Sequence, residues 1–135
     1  MKIYLAGPMT GIPNFNFPKF DRVSAELRAN GYEVVSPAEL DSPEFRASVM
    51  ADGITGNEKR LTGLWGDCLA RDVKLIADDG IEAIFLLEDW NKSRGARLEA
   101  TVGLLCNLKF FLYADDGTYN LPRGWVAQQI AETFT

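Results

Sequence analysis

The sequence predicts an α/β protein built as one three-layer domain around a four- to five-stranded parallel sheet. Two patterns carry this prediction. Short strand-like segments alternate along the chain with segments in which apolar residues recur at helical spacing. The strand-like segments are also apolar at nearly every position, which is typical of a parallel sheet covered by helices on both faces. A length of 135 residues, without a linker or internal repeat, fits a single domain over residues 1–135.

Local signals predict the first two strands and the helix between them. Residues 2–7 form a β-branched and aromatic run that Gly-Pro stops, and residues 32–37 form a second run that ends at a proline. Between them, Asn16 is placed to cap a helix that has Pro18 in its first turn. The apolar stripe of this helix consists of Phe20, Val23 and Leu27.

Residues 38–63 form the least regular part of the chain, rich in Asp, Glu, Ser, Gly and Pro. We expect a long loop or lid there, with one short helix around residues 43–50. Long loops in compact domains are uncommon and often functional, so this segment is a candidate cover for a binding site.

The second half repeats the alternation of helix and strand. A helix is predicted from about Leu64, a third strand over residues 82–88, a helix ending near residue 107 and a fourth strand over residues 109–114. We expect residues 115–135 to form a C-terminal extension. It would consist of a turn-rich connector followed by a helix over residues 125–133.

These elements predict a Rossmann-like domain with the flavodoxin-like strand order. In such sheets ligands bind beyond the carboxyl ends of the strands. Three segments are expected to converge there: residues 7–15, the segment from residue 36 onward, and residues 88–95.

Composition excludes several classes of function. The net charge of −5 argues against binding a nucleic acid polymer, although a small phosphorylated ligand needs only backbone amides and one or two side chains. The chain has no histidine, which excludes Ser-His and Cys-His nucleophile pairs and most zinc sites. No apolar run is long enough to span a membrane, and no signal-peptide pattern is present. Two cysteines do not make a disulfide framework, so we expect a cytoplasmic protein.

Two carboxylates are candidates for chemistry. Glu99 is the only charged residue from Leu98 to Leu108, and it enters an apolar helix near its N-terminus. A pairing with Arg94 or Arg97 at the helix edge would explain the same pattern. Asp72 flanks the apolar stripe of its own helix, where neutralisation by Arg71 or Lys74 is the structural alternative. Together they would supply the paired carboxylates that glycosyl chemistry uses.

Several residues are candidates for binding. Ser93 is a good N-cap, and Gly95 leaves the first turn of the helix open to an anion, although caps without a ligand are more common. The loop formed by Gly7, Pro8, Met9, Thr10 and Gly11 follows a strand and offers backbone amides to a ligand. Four aromatic residues could stack on a planar base or belong to the core, namely Trp90, Tyr4, Phe15 and Phe17.

The motifs IYLAGPMTG, GYEVVSPAEL, RDVKLIADDGIEAIFLL and WNKSRGARLEA occur in this order. In this respect the chain resembles the nucleoside 2-deoxyribosyltransferase-like superfamily, and above all a small branch of unknown function that is often encoded by phages. The resemblance covers most of residues 1–111, outside residues 41–63. Its most specific part is the string W-x-x-S-x-G-A-x-x-E, from Trp90 through Ala96 to Glu99.

The resemblance implies a Rossmann-like fold and cleavage of an N-glycosidic bond, with Glu99 as nucleophile at C1′ of the sugar. Asp72 matches the acid that orients the nucleophile or handles the proton of the base, and Tyr4 lies near the position of an active-site tyrosine. Transferases acting on free nucleosides carry an Asp at the position of Ser93, whereas hydrolases of nucleoside monophosphates carry a serine. A serine at a helix N-terminus can donate to a 5′-phosphate that a carboxylate would repel.

The leading hypothesis is therefore an N-glycosidase acting on a (deoxy)nucleoside 5′-monophosphate, without a metal or organic cofactor. Base exchange by a 2-deoxyribosyltransferase is the second hypothesis, and a nucleotide-binding module without turnover is the third. The resemblance also implies a homodimer or higher homo-oligomer, for which Trp65 and Trp125 are candidate anchors.

Overall fold

The computed structural model describes residues 1–52 and 64–135. Its strands are β1 (Lys2–Ala6), β2 (Glu33–Val35), β3 (Ala83–Leu87), β4 (Lys109–Ala114) and β5 (Gly117–Leu121). Its helices are α1 (Phe17–Ala29), α2 (Pro43–Asp52), α3 (Leu64–Asp78), α4 (Arg94–Leu105) and α5 (Arg123–Glu132). Short 3-10 turns lie at Pro13–Asn16, Pro37–Glu39 and Trp90–Lys92. None of the helices in these two ranges is long and apolar enough to cross a lipid bilayer.

The five strands form one sheet in the order β2-β1-β3-β4-β5. The pairs β1–β2, β1–β3 and β3–β4 are parallel, which confirms the predicted α/β fold and the flavodoxin-like strand order. The pair β4–β5 is antiparallel, so the sheet is mostly rather than wholly parallel.

The predicted turn-rich connector after residue 114 is wrong, because it contains the edge strand β5. This strand is exposed over Gly117–Asn120, and its sequence GTYNL has no apolar run that would mark a buried strand. Pairing with β4, after a tight turn at Asp115-Asp116, stabilises it instead. The predicted terminal helix is confirmed as α5.

Side chains of successive β1 residues point to opposite faces of the sheet, and this alternation positions the site. Ile3 and Leu5 pack with Phe17, Phe20 and Val23 on the α1 face. On the other face, Tyr4 and Ala6 pack with residues of α3, α4 and α5, namely Ile76, Ala96, Ala100 and Val126. Tyr4 therefore extends toward the helix that carries Glu99.

The two predicted helix caps have different outcomes. Ser93 caps α4, since its Oγ accepts a hydrogen bond from the Ala96 amide at 3.2 Å. Asn16 occupies the N-cap position of α1, but its backbone is left-handed, with φ 59°, and its side chain makes no cap. Its Nδ2 instead donates to the Pro8 carbonyl at 2.8 Å and ties the loop after β1 to the start of α1.

The segment predicted as a loop or lid is partly regular. The expected short helix is confirmed as α2, and a 3-10 turn lies at Pro37–Glu39; residues 53–63 lie outside the described residues. Arg46 holds the start of α2 against α1. Its Nη2 lies 2.6 Å from Asp21 Oδ2, its Nη1 donates to the Ala38 carbonyl, and its guanidinium covers the Phe17 ring at 4.6 Å. These contacts connect the first turn of α2 to α1 and to the 3-10 turn after β2.

Candidate active site

A cavity of about 500 Å³ lies beyond the carboxyl ends of β1, β2 and β3. All three segments expected to converge there contribute to it. The loop after β1 supplies Gly7, Met9, Thr10, Gly11 and Phe15, the segment after β2 supplies Pro37, Asp41, Ser42 and Phe45, and the segment after β3 supplies residues 92–96 and Glu99. One face of α3 completes the wall with Trp65, Cys68, Leu69, Arg71 and Asp72.

Three acidic or phenolic groups meet at the bottom of this cavity. The Tyr4 hydroxyl, fully buried in β1, donates a hydrogen bond to Glu99 Oε2 on α4. Glu99 is 5% exposed and Asp72 is 6% exposed, and both line the cavity. The structure therefore brings together the three residues that the sequence analysis assigned to catalysis.

Burial and mutual repulsion disfavour the ionised forms of the groups in this cluster. Desolvation raises the pKa of Glu99 well above its ordinary value; the negative charge of Asp72 raises it further, whereas the Tyr4 hydrogen bond opposes the rise. Desolvation also raises the pKa of Asp72, against the opposing effect of Arg71. Desolvation and the Glu99 charge raise the pKa of Tyr4, so its hydroxyl remains a donor at neutral pH. Asp72 has an ion-pair partner in Arg71, which favours its ionised form, whereas Glu99 has no cationic partner among the described residues.

Arg71 links Asp72 to the segment after β2. Its Nε lies 3.0 Å from Asp72 Oδ1, and its Nη1 lies 3.0 Å from Asp41 Oδ1. Desolvation alone would lower the pKa of Arg71, but the two carboxylates raise it, so its charge is permanent. The structural alternative for Asp72 is thus half correct: Arg71 does pair with it, yet the carboxylate is buried in the cavity wall instead of lying on the surface. Neither Arg94 nor Arg97 is bonded to Glu99 in the described part of the chain.

The N-terminus of α4 forms a further part of the cavity wall, beside α3. Ser93, Gly95 and Ala96, which the sequence analysis names as candidates for binding, all line the cavity. The Arg94 and Gly95 amides are among the first of the helix and have no partner inside it, and the helix dipole places partial positive charge there. The cationic residues Lys92 and Arg94 also line this wall; the Lys92 ammonium lies 3.3 Å from Asp89 Oδ1. This end of the cavity suits an anion.

The loop after β1 contributes most of its predicted binding residues. Gly7, Met9, Thr10 and Gly11 line the cavity, whereas Pro8 does not and instead offers its carbonyl to Asn16. A Cβ atom on Gly7 would lie 2.8 Å from the Leu87 Cβ, so only glycine permits this close approach of the loop to β3.

Among the four predicted aromatic residues, only Phe15 lines the cavity. Trp90 is 3% exposed and packs in the core with Tyr4, Ala96 and Ala100, so the structure does not bring it to the site. Phe17 is fully buried in the core on the other face of the sheet. Tyr4 is buried and reaches the site through its hydroxyl, not through its ring.

Sequence reasoning missed several cavity residues. Trp65, a predicted interface anchor, is 42% exposed, lines the cavity and carries the Arg94 guanidinium 4.5 Å above its ring. Desolvation raises the pKa of the Cys68 thiol beside it, which keeps the sulfur a weak nucleophile. The spacing of residues 65, 68 and 69 places them on one helical face with Asp72, and this signal could have identified them. Asp41, Ser42 and Phe45 had no comparable signal, because they lie in an irregular segment.

The described site is thus a cavity of about 500 Å³ with two buried carboxyl groups and a helix N-terminus in its wall, on a doubly wound α/β fold. The chain belongs to the family described as a domain of unknown function, DUF4406, whose model matches residues 1–111. This range includes all the described cavity residues and ends within β4. No curated protein and no solved structure matched the chain.

Proposed function

We propose that the protein is an N-glycosidase that hydrolyses the N-glycosidic bond of a (deoxy)nucleoside 5′-monophosphate. The observation that carries this proposal is the buried Tyr4–Glu99–Asp72 cluster, which faces a cavity bounded by a helix N-terminus. Most glycosidases use two carboxyl groups in different environments, one as nucleophile or base and one as acid. The motif resemblance to the nucleoside 2-deoxyribosyltransferase-like superfamily supports the same assignment.

The α4 end of the cavity is proposed to bind the 5′-phosphate. The Ser93 Oγ accepts from Ala96 N, which leaves the hydroxyl hydrogen free to donate to a phosphate oxygen. The amides of Arg94 and Gly95, with the cationic side chains of Lys92 and Arg94, supply further donors. With the phosphate there, the sugar lies over Glu99, six residues after Ser93 and so between one and two turns further along α4.

In the proposed first step, Glu99 passes its proton to Asp72 and becomes a carboxylate. One Glu99 oxygen attacks C1′ while the C1′–N bond breaks, and the departing base takes the proton from Asp72. The product is a glycosyl ester on Glu99 with Asp72 ionised again. Tyr4 favours this step because its hydroxyl donates to the ionised form of Glu99.

In the second step, Asp72 accepts a proton from a water molecule whose oxygen attacks C1′. The ester bond breaks, the sugar phosphate leaves, and Glu99 becomes a carboxylate. The proton on Asp72 then returns to Glu99, which restores the initial state. Arg71 assists both steps, because its ion pair holds Asp72 in place without blocking its second oxygen.

The experiment is a chromatographic screen of common nucleosides and their 5′-monophosphates for release of free base. We expect release from monophosphates by the unchanged chain and none by Glu99→Gln, with the exposed Glu88→Gln as matched control. Retained activity in Glu99→Gln would contradict the assignment.

Two further outcomes would select the alternative functions. A new nucleotide formed when a second base is added would indicate transfer of the sugar between bases. Tight binding of a monophosphate without any base release would indicate a binding module.

We also propose that the chain assembles as a homodimer or larger homo-oligomer through the α4–α5 side. Trp125 on α5 is 41% exposed and Leu105 on α4 is 80% exposed, and aromatic and aliphatic residues are common in interface cores. Trp65 is not needed as an anchor, because it lines the cavity. A monomeric mass by light scattering would contradict this proposal.

A further inference from the structure

Asp41 and Arg71 form an ion pair in the cavity wall to which the mechanism above assigns only a partial role. The Arg71 guanidinium lies between two carboxylates, 3.0 Å from Asp72 Oδ1 and 3.0 Å from Asp41 Oδ1. Asp41 is 18% exposed at its side chain and lines the same cavity as Glu99. Asp41 is therefore the second carboxylate bound to Arg71, on the side of Arg71 away from Asp72.

The strand order places this pair at the end of the cavity opposite the anion-binding wall. Asp41 follows β2, Tyr4 belongs to β1, and Ser93 follows β3, and these strands are adjacent in the order β2-β1-β3. Neighbouring strands lie about 4.8 Å apart, so the three groups are spread across the cavity in that order. A nucleotide with its phosphate at Ser93 and C1′ at Glu99 therefore extends its base toward Asp41.

The walls around Asp41 suit a flat ring. Phe15 and Phe45 are half-buried, line the cavity and lie with their ring centroids 6.3 Å apart. Aromatic faces of this kind tolerate any base, because every base has a π-face. Discrimination between bases must then come from polar groups that meet the edge of the ring.

We propose that Asp41 is a specificity-determining residue that selects bases with an exocyclic amino group, an inference that rests on the function proposed above. An ionised carboxylate only accepts hydrogen bonds, and it retains acceptor capacity after one oxygen binds Arg71. An amino group on the base donates to this acceptor. An oxo group at the same position would place two acceptors face to face, with no hydrogen between them.

The test compares two pairs of ligands in which an amino group replaces an oxo group and the adjacent ring nitrogen loses its hydrogen. Affinities of deoxycytidine and deoxyuridine 5′-monophosphate, and of deoxyadenosine and deoxyinosine 5′-monophosphate, are measured by calorimetry on the Glu99→Gln chain, which cannot turn them over. We expect the amino member of each pair to bind about tenfold to a hundredfold more tightly, as for a charged hydrogen-bond partner. Adding Asp41→Asn should remove most of this preference, because an amide both accepts and donates.

Two controls separate base recognition from a loss of structure. Asp67→Asn removes an exposed charge from the same helix as Arg71 and should keep the preference. Deoxyribose 5-phosphate, which has no base, should bind equally well with and without Asp41→Asn. Equal affinity for amino and oxo ligands, or a preference that survives Asp41→Asn, would overturn the inference.

The outcome is distinguishable from failure of the proposed function. If the unchanged chain releases no base but binds amino-bearing monophosphates preferentially through Asp41, the glycosidase proposal fails and the role of Asp41 stands. If none of the four nucleotides binds, both proposals fail.

Discussion

The Tyr4 hydroxyl donates a hydrogen bond to Glu99 Oε2 and so joins the first strand of the sheet to the helix that opens with Ser93. The two residues are 95 positions apart in the chain. Tyr4 is fully buried and Glu99 nearly so, which makes this contact a central electrostatic feature of the site.

Tyr4→Phe should move the pH dependence of base release. Without the hydroxyl, the ionised form of Glu99 loses a donor, and the pKa of Glu99 rises further above its ordinary value. The proposed mechanism needs one proton on the Glu99–Asp72 pair, so the alkaline limb of the pH–rate profile should move to higher pH. Stability should fall by about 1 kcal/mol for a lost buried hydrogen bond. Pre-steady-state base release measured across pH checks this. Tyr119→Phe, at an exposed tyrosine, is the control, and an unmoved alkaline limb in Tyr4→Phe would refute the coupling.

Glu99→Gln should stabilise the fold at neutral pH while it abolishes activity. Burial raises the pKa of Glu99, so the native state resists its ionisation. This effect costs no stability below the pKa of a free Glu, about 4.3. The cost grows as pH rises from there to the pKa of Glu99 in the folded protein. Denaturant unfolding from pH 4 to pH 8 should thus show a gain for Glu99→Gln that grows with pH. Exposed Glu88→Gln should show no such trend, and a gain independent of pH would contradict the prediction.

Ser93→Asp should change ligand preference without weakening the helix. Asp caps helices as well as Ser does, so the start of α4 is retained. Its carboxylate would face the proposed phosphate site, and like charges at a binding surface cost several kcal/mol. The ratio of monophosphate to nucleoside affinity should fall by more than about tenfold.

Ser93→Ala is the counterpart of this variant. It should lower the free energy of unfolding by about 1 kcal/mol through the lost cap. Unlike Ser93→Asp, it introduces no negative charge that would repel a phosphate. Calorimetric titration and thermal unfolding of both variants separate the two roles. If Ser93→Asp bound monophosphates as well as the unchanged chain, the phosphate would have to lie elsewhere.

Gly103→Ala should destabilise the fold because α4 approaches the sheet closely at this position. An added Cβ would lie 2.4 Å from Ile84 Cδ1 and 3.1 Å from Phe110 Cζ, and both side chains are fully buried. We expect a loss of about 1–3 kcal/mol in the free energy of unfolding, as for other overpacked cores. Gly124→Ala in α5 is the matched control: an added Cβ meets no atom within 4 Å, so stability should be unchanged or higher.

The sequence by itself determined the features that depend on near neighbours along the chain. Alternating apolar strands and amphipathic helices predicted the doubly wound sheet, because burial on both faces demands apolar residues at almost every strand position. The Ser93 cap was also predictable, because an N-cap hydrogen bond joins residues only three positions apart. The lone charge of Glu99 in an apolar helix marked it as a residue in need of a partner.

Only the tertiary structure decided which groups meet. Residues 65, 71 and 41 reach the cavity because α3 and the segment after β2 converge at one edge of the sheet, and no local pattern encodes that convergence. The same packing sends Trp90 into the core, although its neighbours Ser93 and Gly95 line the cavity. Strand β5 likewise exists through its pairing with β4, not through its own composition. Caps and periodicity are set by contacts a few residues apart, whereas a site is set by contacts between residues far apart in the chain.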